Sequence, residues 1–452
     1  MCSLLPHRAA ILHIPSQGSF APIELLCDDE EMGLNAGEIP SVAVVTPRAA
    51  ARLRAGHLWV YRSDIERLSG DPPAGALVDV VDGRDGALGA ALWSDGSEIA
   101  LRLVSRQNGL DRAGYLAQLA DRVHAAIALR MRVAPEVFSS AGEGNACRLV
   151  FSEADELPGL VADRYNGLVV VQLLTQGTAQ DDVRRVLVEA LSRYSWIDTV
   201  VERPDPRMRE LEQLPAPSQA PLFVREGSGG ALQTVFTING LRFHFDAGAG
   251  QKTGAFLDQR LNYAAAAGYA TGHALDVCTY QGGFALHLAQ ACAQVTGVDA
   301  SRAALEVADR NLELNMQGAH GLTAKVNWIE ADAFELMRDY AANGQRFDTV
   351  VLDPPAFAKS KRATEGALRG YKELNLRAMQ LLRHAPNGGT LVTCSCSHHI
   401  GIGDFMAVVS SAARDAGLRV QLLETRGAAP DHPAVLTLPE TSYLKCLILR
   451  VG

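Results

Sequence analysis

From His273 to the C-terminus the chain alternates short apolar runs with helical stretches, and no other feature restricts its fold as tightly. His273 to Val277, Gln294 to Asp299, Lys325 to Asp332, Phe347 to Asp353 and Gly389 to Cys396 read as five strands. Phe284 to Ala293, Arg302 to Asn315, Phe334 to Ala342, Leu368 to His384 and Asp404 to Ala416 read as the helices between and after them. Strands joined through helices must cross over, so this rhythm predicts a parallel sheet with helices on both faces. The last two runs, Arg419 to Glu424 and Tyr443 to Val451, have no helix between them and should pair as an antiparallel edge.

In sheets of this kind a ligand lies beyond the carboxyl ends of the strands, where the strand order reverses. The first strand runs into Asp276-Val277-Cys278-Thr279-Tyr280-Gln281-Gly282-Gly283-Phe284, and the paired glycines let the backbone pass close to a ligand. Asp299 closes the second strand 23 residues after Asp276, placed to accept hydrogen bonds from ribose hydroxyls, and Asp332 closes the third. Either acid would also serve as a cap for the helix that follows. A nicotinamide site would need a glycine at Cys278, and a dinucleotide fold does not require Asp332. With the antiparallel final pair, these residues resemble class I S-adenosylmethionine-dependent methyltransferases. That resemblance implies an α/β, Rossmann-like sheet of strand order 3-2-1-4-5 and S-adenosylmethionine as cofactor. Asp276, Thr279, Gly282, Asp299, Ser301, Asp332, Phe334 and Asp353 are the expected contacts, with Gln251 and Thr253 closing over its methionine end.

The fourth strand ends in Asp353-Pro354-Pro355-Ala356-Phe357 and the fifth in Thr393-Cys394-Ser395-Cys396-Ser397. In that order the two strands are neighbours about 5 Å apart, which sets acceptor chemistry beside the donor methyl. The prolines donate no backbone hydrogen bond and suit a rigid loop that turns an acid and an aromatic face towards a planar base. Such loops also occur in enzymes that methylate exocyclic amines, so the loop alone leaves the reaction open. Cys396 narrows it. Carbon 5 of a pyrimidine is a poor nucleophile until a thiolate adds at carbon 6, and a thiol of pKa ~8.5 must lose its proton for this. The expected mechanism has Cys396 attacking carbon 6 and Asp353 hydrogen-bonding or protonating the ring nitrogen, with the base for the carbon 5 proton unassigned. Cys394 reads as a buried inert thiol. Cys394, Cys396, His398 and His399 have no second ligand cluster at recognisable spacing, so no metal is expected. Two alternatives stand: N-methylation with Cys396 merely structural, and a noncatalytic RNA-binding assembly factor with a vestigial cofactor fold.

Upstream, short strand-like runs between Val42 and Val104, broken by Gly and Pro, suggest a small β-barrel of about 65 residues. A helix over Tyr115 to Arg132 and an α/β unit from Cys147 to Leu222 follow. The expected division is an acidic, disordered tail over 1–41, the barrel over 42–110, a linker helix and central α/β domain over 111–228, and the methyltransferase domain over 229–452. A formal charge of −9 argues against a nucleic-acid partner, yet residues 1 to 45 carry −5 of it. The stretch 353 to 383 is net +4, and Arg48, Arg52, Arg54, Arg62 and Arg67 against Asp64 and Glu66 give +3. Eight cysteines without a C-x-x-C pair, and no leader-like or membrane-spanning run, fit a reduced, soluble, cytoplasmic protein without a membrane partner.

Six motifs then fall in order: Gly250-Gln251-Lys252-Thr253-Gly254-Ala255-Phe256-Leu257-Asp258-Gln259-Arg260, the Asp353 to Phe357 loop, Arg369-Gly370-Tyr371-Lys372, Ser395-Cys396-Ser397, Asp431-His432-Pro433 and Tyr443-Leu444-Lys445. On these, the chain from about residue 42 onward resembles bacterial large-subunit ribosomal RNA 5-methylcytosine methyltransferase I and its close relatives. The resemblance implies a PUA domain at the barrel, a central domain including Leu157 to Tyr165, a nucleophilic cysteine at Cys396 and large-subunit ribosomal RNA as substrate. Members commonly carry an aromatic residue at Cys394 and a lysine at Ala356, and the acidic tail is a further departure. The RNA contacts expected are Pro354, Pro355, Phe357, Lys359, Arg369, Lys372 and Arg260, with Trp59 beside Tyr61 in the barrel. Lys252 and Arg260 also suit ordinary surface charges. The oligomeric state is open, a homodimer included.

Overall fold

The computed structural model describes residues 41–139, 144–248, 254–317, 321–358, 361–382 and 388–452. The acidic tail to Pro40, Gln251, Lys252, Thr253, Lys359 and Arg383 lie outside the described residues. Among the described residues no helix is long and apolar enough to cross a membrane.

The first unit holds β1 (Val42–Val45), α1 (Pro47–Arg54), β2 (Trp59–Tyr61), β3 (Ile65–Ser69), β4 (Leu77–Asp82), β5 (Ala87–Trp93) and β6 (Ile99–Ser105), in the sheet order β2-β6-β5-β4-β1-β3. Val45, Val60, Val80 and Leu101 meet in its core. Two elements differ from the sequence reading. Helix α1, capped by Thr46 on Ala49 N, buries Ala49, Ala50 and Leu53, and β3 pairs with β1 while exposing Glu66 and Arg67.

The central unit comprises α2 (Arg112–Val133), β7 (Ala146–Phe151), β8 (Leu160–Tyr165), β9 (Leu168–Leu173), α3 (Asp181–Ser192), β10 (Thr199–Glu202), α4 (Pro206–Leu211) and β11 (Phe223–Val224). Its sheet runs β11-β10-β9-β8-β7, and Leu119, Val123 and Ile127 of α2 pack on Leu149, Val171 and Leu187. A hairpin of β12 (Gln233–Ile238) and β13 (Leu241–Asp246) then leads into the last unit.

That unit is built from α5 (Arg260–Tyr269), β14 (His273–Val277), α6 (Gly283–Leu288), β15 (Gln294–Asp299), α7 (Arg302–Met316), β16 (Lys325–Glu330) and α8 (Ala333–Ala342). It continues through β17 (Thr349–Leu352), α9 (Thr364–Leu381), β18 (Gly389–Ser395), α10 (Ile402–Ala416), β19 (Val420–Arg426) and β20 (Lys445–Val451). The sheet order is β16-β15-β14-β17-β18-β20-β19, which is 3-2-1-4-5 extended by the final pair. β20 inserts between β18 and β19 and is antiparallel to both, so the pair does more than fringe an edge. Alternation along the strands divides the core. Ala274, Val351 and Val392 meet Tyr263, Phe284 and Leu312 on one face, while Leu275, Val350 and Leu391 meet Met337, Tyr371 and Phe405 on the other. The third, fourth and fifth strands stop short of the acids and thiol expected to end them, so Asp332, Asp353 and Cys396 stand on the loops just beyond.

Candidate active site

The turn after β14 is strained. Cys278, Tyr280 and Gly282 all take positive φ, at 64°, 52° and 85°. For a non-glycine residue this costs of order 1–3 kcal/mol and persists only where the surroundings enforce it. Two carboxylates do so here. Asp276 Oδ2 accepts from Thr279 Oγ1 (2.5 Å) and Ala285 N (2.9 Å), while Asp299 accepts from Tyr280 N (2.8 Å) and Ser301 N (2.9 Å). Burial raises the Asp276 carboxyl to about 7, and its Oδ1 lies buried without a hydrogen-bond partner. Thr279 is buried too, so its hydroxyl shapes the turn. Gly282 supplies the left-handed step, whereas Gly283 serves packing: a Cβ there would lie 2.6 Å from Tyr263 Cζ.

The two strand-end acids part company. Helix α7 is capped by Ser301 through Ala304 N (3.3 Å), which leaves half-buried Asp299 to bind the neighbouring turn. Asp332 is the cap of α8, its Oδ1 accepting from Phe334 N (2.9 Å) and Glu335 N (3.0 Å). Phe334, 6.1 Å from Phe357, lines with it, Arg362 and Arg369 an open groove of about 530 Å³. Asp299 and Asp332 keep acceptor capacity at successive strand ends, beside a turn enclosing an unsatisfied acceptor. These acceptors suit the ribose hydroxyls and the amines of S-adenosylmethionine.

Asp353 follows β17. Burial first, then the Asp258 and Asp276 carboxylates, push its carboxyl up to about 8, against a hydrogen bond from Gln259. Gln259 Nε2 donates to Asp353 Oδ1 (3.0 Å), and the orientation of that amide is fixed because its Oε1 accepts from Asn262 Nδ2 (2.7 Å). At neutral pH Asp353 is therefore a carboxylic acid, able to donate a hydrogen bond or a proton. The segment supplying Gln259 lies against the first turn: Tyr280 Oη donates to Gly254 O (3.3 Å), and Phe256 meets the Tyr280 ring edge-on at 5.0 Å.

Cys396 stands one residue past β18, half-buried, with Sγ 3.9 Å from Pro354 O. The two loops are clamped by Ser397, whose Oγ accepts from Ala358 N (3.3 Å) and meets Tyr371 Oη (3.0 Å). Cys394 is fully buried in register with Cys446 of β20, and burial pushes its thiol well above the ordinary range. Pro354 is buried, whereas Pro355 is exposed. Gln259, Asn262, Tyr371 and Lys445 had no role in the sequence reading, although three of them fall within its motifs.

Several expected RNA contacts are engaged elsewhere. Arg260 is a correction: it is 3% exposed and joined to Glu136 (2.7 Å) and Asp431 (3.4 Å), a buried structural cation rather than an RNA-facing or surface charge. Arg369 pairs with Glu365 (2.6 Å) and Lys372 with Asp415 (2.7 Å), although both side chains stay open to solvent. Trp59 Nε1 donates to Glu153 (2.8 Å), tying the first unit to the central one. Arg52 pairs with Asp64, Arg54 with Asp82, and Arg62 donates to three carbonyls, leaving less free charge than the barrel's composition suggested.

The sheet order, the acid-held left-handed turn and the acid after the fourth strand together define an S-adenosylmethionine-dependent methyltransferase. The family of that description matches residues 153–450, and a PUA-like domain matches residues 43–106. Ribosomal RNA large subunit methyltransferase I of Shewanella amazonensis is 37% identical over 402 residues, covering 87% of this chain and 95% of its own. The protein of the same name from Shewanella denitrificans is 38% identical, covering 90% and 98%. A solved structure of a Streptococcus mutans protein shares the fold, with a TM-score of 0.73 at 18% identity over 90% of this chain and 99% of that one. The chain belongs to the ribosomal RNA large subunit methyltransferase I family, and its cofactor is S-adenosylmethionine.

Proposed function

We propose that this protein methylates carbon 5 of a cytosine in large-subunit ribosomal RNA, with Cys396 as the nucleophile that activates the ring. The relatives' names supply the RNA. The observation that carries the chemistry is the 3.9 Å approach of Cys396 Sγ to Pro354 O, which sets a half-buried thiol beside an acid loop. Asp299, Ser301, Asp332 and Phe334, with the turn that Asp276, Thr279 and Gly282 form, would hold the cofactor beside Asp353. When bound it supplies an electrophilic methyl group. The Cys396 thiolate forms a bond to carbon 6, and the displaced ring electrons move towards the ring nitrogen, where Asp353 donates a hydrogen bond or its proton. Carbon 5 thereby becomes nucleophilic. With the methyl group on carbon 5, that carbon loses its proton to a general base, and the bond to Cys396 breaks as the double bond between carbons 5 and 6 re-forms. Any proton lent to the ring nitrogen returns to Asp353, and the thiolate is regenerated. Phe357, Pro354 and Pro355 would border the base, with Arg369 and Lys372 near the RNA backbone and Trp59 on the barrel.

Nucleoside mass spectrometry with bisulfite sequencing of ribosomal RNA from a deletion strain tests this. One 5-methylcytosine should disappear and return with wild type but not with Cys396→Ala. Loss of an N-methylated nucleoside instead would move the chemistry to an exocyclic amine. A full cellular role for Asp299→Ala would point to a noncatalytic assembly factor.

A further inference from the structure

Lys445 has no part in the reaction above, yet it grips the turn that carries Cys396. It opens β20 directly opposite Ser395, the residue before Cys396, and is 6% exposed. Its Nζ donates to Ser397 O and Tyr443 O, each at 2.7 Å. Carbonyl oxygens carry partial charge, so an ammonium buried among them is incompletely compensated and gains from a full anion nearby. The residues it grips flank the thiol: Ser397 follows Cys396 directly.

We infer that Lys445 is a positioning residue whose ammonium is the counter-charge of the Cys396 thiolate, fixing the 395–397 turn and favouring the ionised sulfur. The inference rests on Cys396 being the nucleophile. The thiol proton leaves to solvent and Lys445 keeps its own. Burial lowers the ammonium to about 8 and the adjacent Cys396 sulfur opposes that, so at neutral pH the cation predominates. Among the described residues, titratable groups around the pair include Tyr371 from α9, Asp353 ahead of Pro354, Tyr443 two residues before Lys445, and His398, His399 and Glu440 beyond the turn. Burial raises Tyr371 and lowers His398, which keeps both neutral near pH 7.

The test is the pH dependence of Cys396 alkylation by iodoacetamide in the full-length protein without RNA, read on the Cys396 peptide by mass spectrometry. The wild-type midpoint should lie below the ordinary thiol value of ~8.5. Lys445→Met should raise it by about one unit, a tenfold loss of thiolate at pH 7, and Lys445→Arg should restore it. Methylation by the Met variant, relative to wild type at the same pH, should fall by the same factor at pH 7, with the gap narrowing towards pH 9. A wild-type midpoint at or above the ordinary value overturns the inference, as does an unchanged midpoint in a Met variant that melts like wild type. Should the Met variant not fold, the wild-type midpoint decides. A wild type that forms no adduct with RNA carrying 5-fluorocytosine overturns the nucleophile, a result separate from the alkylation midpoint.

Discussion

In the proposed reaction Asp353 and Cys396 divide the labour because their surroundings differ. Asp353 is held neutral by burial and by neighbouring carboxylates, so its working form carries the proton. A raised carboxyl is protonated below its pKa and loses that proton as pH climbs, so kcat/KM should fall as pH rises through about 8. Asp353→Asn keeps a hydrogen-bond donor and the shape but has no proton to give, and single-turnover methylation should drop by about 10²–10⁴-fold. Gln259 pulls the other way, since its amide favours the ionised carboxylate. Gln259→Leu should therefore shift the alkaline limb to higher pH; a limb that moves down or stays put contradicts the assignment of that limb to Asp353.

At the scale of elements, the first turn and the two loops carry the site. Tyr263 of α5 fills the space that a side chain at position 283 would need. Gly283→Ala should cost about 1–3 kcal/mol through overpacking and lower the thermal midpoint. Paired with Tyr263→Leu, the loss should be smaller than the sum of the single changes, and strict additivity in that double-mutant cycle would deny the contact. The strands and helices from His273 onward were legible because continuous apolar runs alternate there with period-3.6 patterns, whereas α5, just upstream, was not read. The β12–β13 hairpin escaped although Asn239-Gly240, at φ 50° and 80°, is a two-residue left-handed turn between alternating apolar residues, a signal that could have found it. Strand β8 escaped too, because Asp163 and Arg164, both buried, break the apolar run that marks its equally buried neighbour β9. Cys396 and Asp353 could be singled out as candidates because each directly follows an apolar run, one residue past β18 and β17. Gln259 and Lys445 could not be given roles, since they reach those residues only through contacts closed over dozens of positions, by the Gln259–Asp353 bond and the Ser395–Lys445 register. The acid at Asp332 carried two readings that are compatible: its Oδ1 caps α8 through Phe334 N and Glu335 N, and its contact with the cofactor is the proposed one.

Across the whole molecule, Asp431 ties the central and catalytic units together. It is fully buried, accepts from Arg148 N (3.0 Å) and Arg260 Nε (3.4 Å), and its own carbonyl accepts from Arg130 Nη2 (3.0 Å). Burial acts to raise its carboxyl, but His432, Arg260 and the Arg148 amide together hold it well below the usual carboxylate range. A depressed carboxyl contributes stability above its unfolded pKa of ~3.9 and loses it as pH falls below that. Asp431→Asn should therefore cost about 3–5 kcal/mol at pH 7, with the gap to wild type narrowing by pH 3 in denaturant titrations; a gap independent of pH would contradict the ionic account. RNA affinity should weaken as salt rises, because a net charge of −9 leaves binding to local basic side chains. Filter binding across a salt series checks this. The central claim is the covalent step, and it is tested most directly by incubating the protein with S-adenosylmethionine and ribosomal RNA carrying 5-fluorocytosine, then weighing the protein after nuclease digestion. Wild type should retain a nucleotide mass on the Cys396 peptide that Cys396→Ala lacks, whereas an unmodified wild type, or an equal adduct on the Ala variant, would contradict the account.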